Sequence, residues 1–204
     1  MKKILLLAAL FIAFCAVSAC AGNSSKTDAS PQDFTGKKVL VTYFSRTGEN
    51  YAVGNIKKGN THIIAEMIAA ETAGTLFEIK TVKPYPTEYR ACTDIAKKEK
   101  ESNARPTLQA DTKVEDYDVI FIGYPNWWGD MPMAVYTFIE KHKWQGKTVI
   151  PFCTHEGSGL SSTESSLKTT CAGAEVLKGL AVRGSVAQNS QEQAKRSVSA
   201  WLKK

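Results

Sequence analysis

Short apolar runs alternate with amphipathic stretches along most of this chain. Val39 to Phe44 is a continuous strand-type run, and helical spacing follows from Thr61 to about Ala73, with Ile63, Ile64, Met67 and Ile68 on one face. Thr75 to Val82 alternates and stops at Lys83-Pro84-Tyr85-Pro86, the signature of a strand entering a turn. Thr87 to about Ser102 reads as a second helix with Tyr89, Cys92, Ile95 and Ala96 turned inward, ended by Ala104-Arg105-Pro106. Tyr117 to Gly123 is nearly continuous in apolar character, as a strand buried on both faces must be. Pro132 opens a third helix, where its missing N–H costs nothing, and Val135, Phe138, Ile139 and His142 share its inner face. Thr148 to Cys153 is a fourth strand, although Pro151 is awkward in a central position. Leu160 to about Thr170 is a polar helix with Ser161 and Glu164 spaced as a capping box. Glu175 to Gly184 is a fifth strand. Ser190-Gln191-Glu192-Gln193 is a second capping-box pattern, opening a last helix with Ala194, Val198, Trp201 and Leu202 inward.

Strand and helix therefore alternate along the chain, which predicts an α/β domain: a parallel sheet joined by right-handed crossovers and covered by helices on both faces. Ligands of such sheets bind beyond the carboxyl ends of the strands, where the strand order reverses. The loops after the first, third and fourth strands meet there.

The first loop is Ser45-Arg46-Thr47-Gly48, and the helix after it begins at Asn60-Thr61. A polar loop between strand and helix is usually only a turn, but converging hydroxyls and backbone N–H groups at a helix N-terminus also suit a phosphate. With Glu49 to Gly59 set aside, the loop reads Ser45-Arg46-Thr47-Gly48-Asn60-Thr61. This S-x-T-G-N-T pattern resembles the FMN-phosphate loop of flavodoxins. The resemblance implies a three-layer flavodoxin-like sandwich with a five-stranded parallel sheet in the order 2-1-3-4-5. It also implies that the hydroxyls of Ser45, Thr47 and Thr61, with the amides of Arg46 through Gly48 and Asn60, hold the phosphate of FMN.

The second loop is Tyr124-Pro125-Asn126-Trp127-Trp128-Gly129-Asp130. Adjacent tryptophans on a loop would by themselves suggest a core cap or a protein interface. Beside the phosphate loop, however, W-G-D resembles the flavin loop of flavodoxins. The resemblance implies that Trp128, or Trp127, packs on the flavin ring, and that the peptide at Gly129 reorients when the flavin is reduced. Pro125 and Asn126 complete this part of the site. Two neighbouring side chains on an extended loop point apart, so one indole is expected to face the flavin and the other the protein. The third loop, Thr154-His155-Glu156-Gly157-Ser158-Gly159, occupies the position of the family loop that holds the pyrimidine edge. It contributes Thr154, Gly157, Ser158 and Gly159. No catalytic residue and no metal site is expected; His155 is the nearest to an acid–base candidate, and His62 and His142 read as helix-face residues. The insert Glu49–Gly59 is expected to be a surface excursion that leaves and returns to nearly the same point.

The N-terminus changes the setting of this domain. Met1-Lys2-Lys3 and the apolar stretch Ile4 to Val17 read as a secretory leader, too short to span a membrane comfortably. Val17-Ser18-Ala19-Cys20 resembles a bacterial lipobox, which implies acylation of Cys20, export, and anchoring at the cell envelope. The division expected is 1–19 signal peptide, 20–36 lipidated cysteine and flexible linker, and 37–204 folded domain. The formal charge is +6; loss of Lys2 and Lys3 with the leader, which has no acids, leaves +4. Flavodoxins are typically acidic, so this balance departs from the family. No basic stripe with interleaved aromatics suggests nucleic acid. Cys92, Cys153 and Cys171 are expected to be buried, inert thiols. The function implied is an FMN-binding electron carrier of the envelope, serving an unidentified redox protein or small-molecule acceptor. The alternatives are an NAD(P)H-dependent quinone or nitro-compound reductase, or a flavin-free binding module.

Overall fold

A computed structural model describes residues 33–204; the leader, Cys20 and most of the linker lie outside that range. Strand β1 (Val39–Tyr43) is central, flanked by β4 (Thr75–Glu78) and β5 (Val119–Pro125). Beyond β5 lies β6 (Thr148–His155), followed at the edge by β7 (Glu175–Val176) and β8 (Leu180–Arg183). All these pairs are parallel. With β7 and β8 taken as the two halves of one strand, the order is the expected 2-1-3-4-5.

Alternation along the strands sorts the core into two layers. Leu40, Ile120, Ile122, Tyr124 and Val149 pack toward α3 (Met133–Ile139) and α4 (Thr163–Thr170), with Phe138 and Leu167 fully buried. Val41, Phe121, Ile150 and Phe152 pack toward α1 (Asn60–Thr72) and the C-terminal helix, through Ile64, Ile68, Val198 and Trp201. Both layers of helices are thus in place. Helix α2 (Tyr89–Glu101) buries only Cys92 and Ala96. Tyr89, expected inward, is 38 % exposed because it is the first residue of the helix and lies at its open end.

The fifth strand departs from its expected continuous form. The Val149 carbonyl accepts from Leu177 N at 2.9 Å, so the alternation of the strand turns Pro151 toward the same neighbour. Pro151 has no N–H to give, and the edge strand is interrupted between Val176 and Leu180, opposite it. A short helix absent from the sequence reading, α5 (Gly184–Asn189), precedes the final helix α6 (Gln191–Leu202). Neither capping box forms. Ser162, not Ser161, stands before α4, and Glu164 accepts from Gly179 N at 2.7 Å instead of reaching back. Ser190 precedes α6 without a side-chain cap. Helix α3 ends before His142, whose ring packs on Phe138 and faces Asp111 at 3.0 Å. The insert folds as a β-hairpin, β2 (Gly48–Asn50) against β3 (Gly54–Ile56), and so returns close to where it left. Among the described residues no helix is long and apolar enough to cross a membrane.

Candidate functional site

The insert separates Ser45 from Asn60 in sequence, yet the fold brings them together. Gly59 stands immediately before α1, and a Cβ there would fall 2.1 Å from Ser45 Oγ and 2.6 Å from the Arg46 carbonyl. Only glycine permits that approach. Ser45 Oγ accepts from His62 N at 3.1 Å and serves as a cap supplied from across the insert. The first intrahelical bond runs from Ile63 N to Gly59 O. The amides of Asn60 and Thr61 are left without an acceptor, as are those of Ser45, Arg46 and Thr47, among the described residues. Orphan amides at a helix N-terminus beside a polar loop suit an anion.

Side chains around this loop are partly committed elsewhere. Thr47 is exposed and available. Thr61 Oγ1 lies 2.8 Å from Thr154 Oγ1, both buried. Asn60 accepts through Oδ1 from Gln188 Nε2 at 2.8 Å, so helix α5 orients it. Gly48 is the first residue of the hairpin, paired with Ile56. The Arg46 guanidinium donates to the carbonyls of Pro86 and Thr87 at 2.8 and 2.7 Å and to that of Glu49. Glu49 in turn receives Tyr89 N at 2.9 Å and sends its own amide to Thr87 O at 2.8 Å. These contacts fasten the hairpin to the turn before α2. A cleft of about 440 Å³ opens beside the loop, with Lys57, Lys58 and Lys80 at its rim. Lys58 and Lys80 pair with Glu66 and Glu78; Lys57 has no acidic partner among the described residues.

In the second loop, Trp127 and Asp130 exchange backbone hydrogen bonds of 2.9 and 3.1 Å. Trp128 and Gly129 between them have φ of 55° and 76°. This is the two-residue turn with both central residues left-handed, normally filled by Asn-Gly. Gly129 is at home there; Trp128 carries a side-chain penalty of about 1–2 kcal/mol. Lys100 Nζ donates to the Trp128 carbonyl at 2.5 Å, and the indole Nε1 donates to Thr93 O at 3.1 Å. The two indoles diverge as expected. Trp127 packs edge-on against Phe44 and Tyr85, at 5.3 and 5.1 Å, while Trp128 is 51 % exposed. Asn126 joins this turn to the third loop: Oδ1 accepts from Gly129 N, and Nδ2 donates to Gly159 O and Ser161 Oγ. Pro125 closes β5, in register with Thr154.

In the third loop His155 Nδ1 accepts from Gly157 N at 2.9 Å. Burial, reinforced by the charge of Arg183, holds this imidazole below its ordinary pKa. Glu156 faces away from the opening and accepts from the amide and hydroxyl of Ser185, at the start of α5. Ser158 is exposed, and a Cβ on Gly129, Gly157 or Gly159 would meet no atom within 4 Å. The second and third loops thus present bare backbone to open space, while the first presents unused amides. A planar group carrying a phosphate fits that donor set. Cys92, Cys153 and Cys171 are buried and free, and burial pushes their thiols up to about 11, 12 and 12. Among the described residues no cluster of three or more His, Cys, Asp or Glu side chains is placed to hold a metal ion.

Sequence reasoning missed Gln188, Glu156 and Lys100 as supports of the site. Gln188 and Lys100 lie in no loop motif and reach the site from helices. Glu156 lies in the third loop but is turned to Ser185 at the start of α5, and only the tertiary fold shows this.

Comparison with known proteins agrees with this geometry. Residues 38–202 match the flavodoxin family. A Bacteroides eggerthii protein described as a flavoprotein is 30 % identical, with a TM-score of 0.63 over 81 % of this chain and 96 % of its own. A similar protein from Bacteroides uniformis is 32 % identical, with a TM-score of 0.62 over 80 % and 99 %. A flavoprotein of Lactobacillus acidophilus, solved in complex with FMN, shares the fold at 24 % identity, with a TM-score of 0.56 over 76 % and 99 %. Comparison with curated proteins gave no match. With the sheet order, the switch-point loops and the family match over nearly the whole described range in agreement, the chain belongs to the flavodoxin family.

Proposed function

We propose that the protein binds one FMN noncovalently and carries electrons at the cell envelope, tethered through an acylated Cys20. The observation that carries cofactor binding is the set of amides of Ser45, Arg46, Thr47, Asn60 and Thr61, which donate to nothing among the described residues. A phosphate dianion satisfies these donors, and Lys57, at the rim of the cleft, adds favourable charge. The FMN complex of the Lactobacillus acidophilus relative, a protein of the same fold, supports this reading.

When bound, FMN supplies the electron-transfer chemistry, and the protein sets its position and exposure. Thr47 and the loop amides hold the phosphate. Trp128 offers an apolar π-face for the ring. The bare backbone at Gly159 lets its amide approach the polar ring edge, and His155 holds that loop in shape by accepting from Gly157 N. The left-handed turn leaves the backbone of Gly129 uncovered beside the Trp128 indole.

Export and anchoring rest on the leader and the lipobox-like Val17-Ser18-Ala19-Cys20. Acyl chains contribute about 0.8 kcal/mol per buried CH₂, so more than one gives a stable anchor.

The absorbance spectrum of the purified protein, followed by calorimetric titration of the folded apoprotein with FMN, tests the reading. A yellow protein with one tight site is expected. A folded apoprotein giving neither heat nor fluorescence quenching with FMN would overturn it. NADPH oxidation with a quinone acceptor separates the reductase alternative from a carrier.

A further inference from the structure

Helix α5 follows β8 without a connecting loop and lies between two parts of the site that are far apart in sequence. On one side is the start of α1. The Gln188 side-chain amide donates to the Lys58 carbonyl at 2.7 Å and to Asn60 Oδ1 at 2.8 Å. Both of its protons are thus spent on the two residues that flank Gly59. The Asn60 side chain is turned to α5, and its backbone N–H is left to the loop. On the other side is the third loop. Glu156 accepts from Ser185 N at 2.5 Å through one carboxylate oxygen and from Ser185 Oγ at 3.1 Å through the other. Arg183 stands 3.8 Å from that second oxygen.

Gly184, the first residue of α5, is buried between these two contacts. A Cβ there would collide with the side-chain amide of Asn60 and come within 3.2 Å of Glu156 Oε1. Asn60, Gly184 and Glu156 therefore lie in series, with no room between them. The helix is also fixed from beneath. Ala187 is fully buried, in the same layer as Ile64, Val182 and Val198. Six residues of helix held in this way move as one body. Donors fixed before a ligand arrives cost less to order when it binds. A ligand that orders one loop therefore lowers the ordering cost at the other, by way of α5.

We propose that Gln188 and Glu156 are positioning residues, and that α5 couples the phosphate end of the flavin site to its ring-edge end. Gln188 sets the chain that carries the Asn60 and Thr61 amides, and Glu156 sets the 154–159 loop. An anion held at Asn60 and Thr61 then strengthens binding of the ring beside the third loop, and the ring strengthens binding of the anion by the same factor. The coupling of ligands rests on the FMN reading, whereas the link between the two loops stands without it.

The test uses the full chain, titrated with FMN and with riboflavin by fluorescence quenching. In the parent, saturating inorganic phosphate should tighten riboflavin by about fivefold or more. Gln188→Met keeps the side-chain length and loses both donors. It should abolish that gain and weaken FMN about tenfold, while riboflavin alone stays within about twofold of the parent. Glu156→Ala should abolish the gain and weaken riboflavin itself; Glu156→Gln, which keeps an acceptor for Ser185 N, should recover most of that affinity. Amide hydrogen exchange without ligand reads the link alone. Gln188→Met should speed exchange at Gly157, and Glu156→Ala at His62 and Ile63. Riboflavin affinity indifferent to phosphate in a parent that binds FMN would overturn the coupling. So would equal losses of FMN and riboflavin in Gln188→Met. A parent that binds neither flavin would remove the FMN reading, and the exchange pattern then decides. Effects at the opposite loop would uphold the link through α5, and effects confined to the loop beside each variant would overturn it.

Discussion

Thr61 and Thr154 meet hydroxyl to hydroxyl at 2.8 Å, one at the start of α1 and the other near the end of β6, both closed off from solvent. This contact ties the phosphate loop to the third loop from below. Removing one partner leaves the other buried and unsatisfied, a cost of about 1–3 kcal/mol. Thr154→Val and Thr61→Val should each lower stability by roughly that amount, and the double variant by less than their sum. Urea denaturation of the four proteins measures it; strictly additive losses would mean that the hydroxyls do not depend on one another.

Thr42 presents the opposite case. Its hydroxyl, in the middle of β1, is fully buried and has no hydrogen-bond partner among the described residues. Valine has the same shape without the polar atom. Thr42→Val should therefore raise stability, by about 1 kcal/mol, with unchanged FMN affinity. A fall in the denaturation midpoint would contradict this.

The two tryptophans should separate stability from binding. Trp127 is wedged between Phe44 and Tyr85, so Trp127→Ala should cost about 3 kcal/mol of stability. Trp128 is half exposed and sits at a left-handed position. Trp128→Gly removes the backbone penalty and should leave stability level or higher, while FMN binding weakens at least tenfold. Equal FMN affinity in Trp128→Gly and the parent would exclude Trp128 as the stacking face.

Thr47 carries an exposed hydroxyl on the phosphate loop and bonds to nothing among the described residues. A hydrogen bond to a charged group contributes about 1.5–3 kcal/mol. Thr47→Ala should weaken FMN accordingly while riboflavin, which lacks the phosphate, binds as before. Parallel losses for both ligands would point to a disturbed loop.

His155 gives a pH dependence with a definite sign. Its folded pKa lies below the ordinary value of about 6.5. Above that value both folded and unfolded chains hold a neutral ring. As pH falls through it, the unfolded chain takes up the proton first, so the folded state loses stability. Protonation also ends the acceptance of Gly157 N–H by Nδ1. Stability and FMN affinity should both decline from pH 7 to pH 5. In His155→Asn, whose Oδ1 stands near the place of Nδ1 and does not titrate in this range, the decline should be shallower. Superimposable profiles for the two proteins would rule out the assignment.

The sheet and the three loops were legible because local and global signals agree there. The central strands are continuous apolar runs, and polar glycine-bearing loops follow them. Joining Ser45 to Asn60 across the insert was also legible, from the S-x-T-G-N-T pattern left when the insert is set aside, and the close approach of Gly59 to Ser45 agrees with it. What the sequence concealed depended on partners distant in the chain. Glu164 matches a capping pattern but meets Gly179. Glu156 lies in a binding loop but caps α5. Trp128 stands out in the sequence as one of two adjacent loop tryptophans, but its left-handed backbone, held by Lys100 and Thr93 from another helix, does not. Tyr51, Val53 and Ile56 make the insert more apolar than a free loop needs. That signal was real: Ile56 is buried, and Tyr51 lies near Tyr89.

Pro151 has an effect beyond the local pairing. A long, regular edge strand offers a row of free N–H and C=O groups on which another chain can extend the sheet. Here the edge is broken into pieces of two and four residues by the gap opposite the proline. No stretch of that side is long enough to template an incoming strand. The residue least suited to a central strand thus guards the margin of the sheet against self-association, and replacing it with valine would invite a continuous edge and the aggregation that follows.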